Sequence, residues 1–260
     1  ALMDNNGTTT NASTVGSTQG IDNNEVATGG VRLYEAWMEQ NFLDERLSVL
    51  VGLHDLNSEF AVTDISANFI KPTMQIGQSF AQSGRNGPSI YPTTSLAGRV
   101  RVKPTANSYV AVAAYDGVPG EPDRTSGSRV DFAKKDGLLL VGEVGIAPKV
   151  EGSDAELNKL ALGLWHYTGA LDDVNDPTKK NTPQGAYLLA SRQFYHDKAG
   201  RSAGVFLRGG VADGDTAQVD FDSEAGLVGT GWLPSRPDGE FGLGISQAHN
   251  GANSRKEHAA

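Results

Sequence analysis

Leu96-Ala-Gly-Arg-Val-Arg-Val102 places Leu96, Gly98, Val100 and Val102 on one face and Ala97, Arg99 and Arg101 on the other, because successive strand side chains point to opposite sides. The same alternation returns at Leu47–Leu53, Leu160–Leu164, Val219–Leu227 and Phe241–Ile245. A sheet with one apolar and one charged face is the economical reading. Lipid-facing and lumen-facing side chains alternate in this way along the strands of a membrane β-barrel.

Composition bounds this reading. With 260 residues, repeated strand patterning and no evident linker, the chain reads as one large all-β unit. Hydrophobic residues make up 38% and the mean hydropathy is -0.35. The longest uninterrupted apolar run is the seven residues Tyr109–Tyr115, too short for a transmembrane helix. A barrel escapes that bound because only alternate residues need face lipid; a soluble β-sandwich predicts the same composition. The chain has 32 glycines, suited to turns and strand bends, and no cysteine, which removes disulfides and thiol chemistry together. A net charge of -9 makes nucleic acid an unsuitable partner. Ala1–Gly7 has neither a basic nor an apolar targeting segment, so any export signal is expected to lie outside this sequence.

Along the chain, residues 1–30 are rich in Asn, Thr, Gly and Ser and read as a flexible loop or ragged end, with order beginning at Val31. The wall is expected over 31–248. Val31–Gln40 pairs with Leu47–Leu53, and Leu96–Lys103 with Ser108–Tyr115. Leu138–Ile146 pairs with Asn158–His166, Ala186–Tyr195 with Gly204–Gly210, and Gln218–Leu227 with Glu240–Ala248, giving about ten strands. Residues 57–95 lack sustained alternation and read as a long functional loop; 249–260 read as a flexible end. Short turns alternate with long loops, the asymmetry of outer-membrane barrels, whose short turns are periplasmic.

On the first strand Leu33, Glu35, Trp37 and Glu39 share a face, with Glu35 and Glu39 flanking Trp37 in steps of about 7 Å. An indole between carboxylates suits a sugar, whose apolar ring face packs on the aromatic while its hydroxyls donate to the acids; the plainer reading puts Trp37 in an interfacial aromatic belt. Arg46, Arg99 and Arg101 are placed across the lumen, where fixed donors opposite carboxylates make a transverse field, or where they merely neutralise acids of the wall. Trp165 is a second stacking candidate. No enzyme is indicated: His54, His166, His196, His249 and His258 are scattered, and neither G-x-S-x-G nor H-E-x-x-H occurs. Asp172, Asp173, Asp176, Asp213, Asp215, Asp220 and Asp222 lack EF-hand spacing and read as solvated loops.

Four blocks in order, Arg32–Gln40 (RLYEAWMEQ), Gly52–Phe60 (GLHDLNSEF), Asn86–Ser95 (NGPSIYPTTS) and Asp116–Asp123 (DGVPGEPD), closely resemble successive blocks of the carbohydrate-selective porin family, the OprB type; Leu138–Ala248 resembles it more loosely. The resemblance implies a 16-stranded antiparallel transmembrane β-barrel in the bacterial outer membrane, often a homotrimer in contact with outer-membrane lipid. It implies passive diffusion of glucose and related carbohydrates, with no cofactor. Carried over by position are Glu35, Trp37, Glu39, Asp55, Glu59 and Arg99, and the loop within 57–95 is the one that narrows the pore. Ten strands fall short of sixteen, so this stretch is expected to need further strands to close. The alternatives are a soluble or surface-attached β-sheet lectin, which would bury Val100, Val102, Leu160, Leu162, Leu164, Phe241, Leu243 and Ile245 between two sheets, and a general porin without sugar preference.

Overall fold

The computed structural model describes residues 1–5, 11–17, 19–21, 30–120, 136–150, 155–174 and 176–251. Leu2–Asn5 (β1) pairs antiparallel with Gly30–Leu33 (β2), so the stretch read as a loose end contributes a strand. The expected strand Val31–Gln40 breaks at Tyr34 and Glu35, and its second half is Ala36–Phe42 (β3), paired with Leu47–His54 (β4). Then come Ser95–Thr105 (β5), Ser108–Asp116 (β6), Leu138–Ile146 (β7) and Lys159–Tyr167 (β8). Leu171–Asp172 (β9) and Lys180–Asn181 (β10) form a two-stranded ribbon. Gln184–His196 (β11), Ser202–Ala212 (β12), Val219–Thr230 (β13) and Glu240–Asn250 (β14) complete the chain of strands.

One ten-stranded sheet results, in the order β14-β13-β12-β11-β8-β7-β6-β5-β4-β3, antiparallel throughout. Every hairpin expected from alternation is present. The loop asymmetry is less complete than expected: 55–94, 117–137 and 168–183 are long and lie at one end, but 213–218 at that end is short, and 147–158 at the opposite end is not. Residues 121–135 of the second long loop and 252–260 of the expected flexible end lie outside the described residues.

The alternation decides the two faces. Val100, Val102, Leu160, Leu162, Leu164, Phe241, Leu243 and Ile245 are all exposed on the outer face, none of them covered by a second sheet among the described residues. The inner face is not an open polar lumen along its whole length, because residues 55–94 fold back onto it. This inner segment has short helical turns at Leu56–Ser58 and Asp64–Ser66, then Pro72–Gln75 (α1) and Gln78–Ala81 (α2). Asp55 accepts from the Asn57 N–H and Thr63 from the Ser66 N–H, side-chain caps that start the first two turns; Pro72 starts α1. Leu56, Phe60, Ile76 and Phe80 pack against Tyr115, Leu139, Val141, Trp165 and Leu189 in one buried cluster. Apolar residues of the segment therefore cover most of the middle of the wall and keep water from it.

Four aromatic side chains reach across the inner face where the residue directly opposite each is glycine. Tyr109 faces Gly145, Trp165 faces Gly185, Tyr187 faces Gly163 and Phe206 faces Gly226 on the neighbouring strands. A Cβ at Gly163 would sit 2.0 Å from Cζ of Tyr187. Such aromatic-over-glycine pairs give the sheet side-chain contact where glycine supplies none.

Gly163→Val should push Tyr187 off the wall and lower stability by about 3 kcal/mol, through overpacking and the lost hydrogen bonds of its hydroxyl. Gly98→Ala, on the outer face with nothing within 4 Å of the added carbon, should leave the unfolding midpoint in detergent unchanged.

Candidate pore-lining site

Arg99 on β5 is the centre of the site. Its inward direction follows from the alternation that sends Val100 and Val102 outward, and its side chain is 1% exposed. The guanidinium donates to Ser48 Oγ at 2.5 Å, Glu39 Oε1 at 2.9 Å and Glu59 Oε1 at 2.5 Å. Glu39 also accepts from the Ser48 hydroxyl. Glu39 and Ser48 come from the wall and Glu59 from the inner segment, so this one cation ties the segment to the sheet.

A second group of charges lies one strand step away. Arg101 Nη2 meets Glu156 Oε1 at 3.0 Å, and its guanidinium carbon stands 4.3 Å from the centre of the Tyr109 ring. Lys159 Nζ lies 3.5 Å from both Glu143 and Glu156. Between the groups opens a polar cleft of about 230 Å³, lined by Glu39, Glu45, Glu59, Glu156, Arg99, Arg101 and Lys103 with Asn41 and Ser48. Fixed donors and acceptors of both signs face one another across it, the arrangement that serves hydroxyl groups, which donate and accept together. A larger hollow of about 1140 Å³ lies on the outer face over Gly98, Ala114, Gly142 and Ala186, walled by Val100, Val112, Leu140 and Leu164; its apolar walls suit hydrocarbon.

The expected residues divide. Glu39, Glu59, Arg99 and Arg101 converge on the cleft. Trp37 is half-exposed on the same face of β3, with its ring edge-on to His54 at 6.1 Å. The ladder of Glu35, Trp37 and Glu39 is not continuous, because the chain bends at Glu35 and its carboxylate accepts the Asp55 N–H at 3.1 Å. Arg46 does not reach the site; it donates to the Pro104 carbonyl at 2.9 Å beside the β3–β4 turn. Trp165 is 3% exposed and one face of its indole is taken by Phe80, stacked at 5.1 Å, so no sugar ring can lie there. Sequence reading missed Ser48, Glu143, Glu156 and Lys159. Glu143 carried a signal, a lone carboxylate in the apolar strand LLLVGEVGI.

The acidic loop residues are dispersed: Asp222 is bonded by Ser79, Asp220 pairs with His249 and Asp172 with Lys180. Among the described residues no group of three or more His, Asp or Glu could hold a metal ion.

Asp55 anchors the start of the inner segment, accepting from the Tyr34 hydroxyl and the Asn57 N–H. Burial pushes its carboxyl up to about 6, against the opposing pull of those hydrogen bonds. A carboxyl raised on folding favours the protonated state. Its stabilising contribution is fully present below the unfolded value of about 4 and is lost as pH rises through about 6. Unfolding midpoints measured from pH 4 to 7 should fall with rising pH, and Asp55→Asn should remove up to about 3 kcal/mol of that fall.

The model of the family described as carbohydrate-selective porin, OprB family, matches residues 1–260. Porin B of Pseudomonas aeruginosa is 26% identical over 236 residues, covering 84% of this chain and 50% of that protein. A putative porin, QuiX, of Acinetobacter baylyi is 22% identical over 219 residues, covering 83% of this chain and 50% of that protein. The high-pH structure of Pseudomonas putida OprB superposes with a TM-score of 0.71 at 23% identity, over 88% of this chain and 57% of that one. The chain thus spans about half the length of the curated relatives it matches. By the family match over its whole length, this chain belongs to the OprB family of carbohydrate-selective porins, outer-membrane proteins of Gram-negative bacteria.

Proposed function

We propose that this chain is wall and constriction of an outer-membrane channel through which glucose and related carbohydrates diffuse passively. The observation that carries the reading is the cleft around Arg99, a set of opposed charges on the inner face of a sheet whose outer face is apolar and exposed. Sugar hydroxyls exchange hydrogen bonds with Glu39, Glu59 and Arg101, each a charged partner that binds more strongly than a neutral one, while the enclosed Arg99 holds the two carboxylates in place. Trp37 offers its exposed ring as a stacking surface at the margin, while Glu35 and Asp55 support the segment. The outer face meets outer-membrane lipid, and the assembly is a homotrimer. A soluble lectin fits poorly, since the apolar residues it must bury are exposed in a single sheet.

The test is single-channel conductance in a planar bilayer, made on a whole porin that carries this chain, with glucose and with a neutral non-sugar polyol of similar size. Saturable block by glucose alone is expected, weakened about tenfold by Arg99→Ala, which releases Glu39 and Glu59 from their fixed positions. Equal response to both solutes would reduce the protein to a general porin; absence of any conductance would overturn the channel reading. The 260 residues by themselves should give no conductance steps, because among the described residues β3 and β14 are unpaired edges and an open edge is not tolerated in lipid.

A further inference from the structure

Far from the cleft, the inner segment is held by a second buried cation. Arg208 on β12 is 4% exposed, and its Nη1 donates to the carbonyls of Thr73 at 3.4 Å and Met74 at 3.3 Å in α1. Glu224, its directly opposite partner on β13, is 3% exposed. Neither carboxylate oxygen of Glu224 has a hydrogen-bond partner, nor do Nε and Nη2 of Arg208. Glu224 therefore lies opposite Arg208 without capturing its guanidinium, which stays turned toward the carbonyls of α1. A carboxylate in bidentate contact would compete for the same donors.

A continuous set of contacts joins this seat to the cleft. Asp222, two residues before Glu224, accepts from the N–H and hydroxyl of Ser79 in α2 at 3.0 and 2.7 Å. The Gln75 side chain donates to the Phe69 carbonyl at 2.6 Å, while the Gln75 backbone carbonyl accepts from Asn57 Nδ2 at 3.2 Å. Asn57 stands two residues from Glu59, which is bonded to Arg99. We propose that Arg208, bonded to the α1 carbonyls and left free by the opposite Glu224, is the positioning residue that fixes how deeply the inner segment reaches into the lumen, and thereby sets the place of Glu59 and the width of the cleft. The consequence for conduction rests on the channel reading above; the positioning of the segment does not.

The test uses a whole porin carrying this chain, with a spin label at Ile70→Cys, a position 65% exposed on the inner segment. Arg208→Met should mobilise the label, raise single-channel conductance about twofold and weaken glucose block severalfold. Arg208→Lys, which keeps the charge and a donor, should restore part of each. The double variant Arg208→Met with Glu224→Met also removes the buried carboxyl that has no hydrogen-bond partner and should recover the unfolding midpoint while the label stays mobile, separating positioning from bulk stability. It is also the variant to use should Arg208→Met alone not fold. A label as immobile in the folded methionine variant as in the parent overturns the proposal, whatever the conductance. A mobilised label in a protein that never conducts would sustain it and sink the channel reading instead.

Discussion

The inner segment is seated on the wall at one buried carboxylate, Glu143, which takes a backbone donor from the segment beside its donors from the wall. Glu143 sits on a strand whose other side chains are apolar, with its own side chain 0% exposed. Its oxygens accept from the hydroxyls of Tyr109 at 2.6 Å and Tyr187 at 2.5 Å and from the backbone N–H of Ala61 at 3.0 Å. Lys159 is the nearest cation, at 3.5 Å. Removing any donor leaves a buried charge short of partners, which costs several kcal/mol, of the order found when one side of a buried pair is deleted. The backbone at Ala61 takes φ of 56° to present its N–H, a conformation that a residue with a Cβ adopts only when its surroundings impose it.

That contact is possible because of register. Asn41, Ser48, Arg101, Ala111, Glu143, Gly163, Tyr187, Gly210, Asp222 and Ala248 form one row across all ten strands of the inner face. From Arg101 to Asp222 the polar groups of this row are spaced by alanine and glycine. The gap at Gly163 lets the Tyr187 ring reach across to Glu143, and the gap at Gly210 brings Ser79 close to Asp222. A one-residue slip in any hairpin would turn part of this row toward lipid, so the hydrogen-bonded row and the apolar outer face specify the same register from opposite sides.

How much of this was legible in the sequence follows from the distance over which each feature is encoded. The hairpins were readable because alternation and turns are local. The inward direction of Arg99 and Arg101 came with them, and Glu59 was within reach through its block resemblance. The inner segment was not readable, since its anchors lie 82, 126 and 143 residues away in sequence, and nothing local announces that Phe80 will stack on Trp165. For the same reason Trp165 read as an open aromatic surface. Alternation gave its face correctly and could not tell that the face would be covered. Glu35 differs: strand periodicity continues through Tyr34 and Glu35, but there the ladder with β4 stops and both backbone N–H groups bond to the Ala1 carbonyl.

The cleft is the part of the inner face that the segment leaves uncovered, and its position follows from where the apolar packing ends. From β6 to β11 the segment meets the wall with Leu56, Phe60, Ile76 and Phe80. Toward β3, β4 and β5 it offers Glu59 instead, and the contact becomes a charged one with Arg99. A charged contact at the margin of a core remains partly hydrated: the Glu39 side chain keeps 31% of its exposure and Glu156 37%, while Arg99 is almost fully enclosed. Hydrated carboxylates beside an immobilised guanidinium can exchange water for another hydroxyl at little cost, because the donor is already fixed and loses no rotational freedom when the partner changes. The same packing that closes the middle of the wall thus produces, at its edge, a surface prepared for a polar solute.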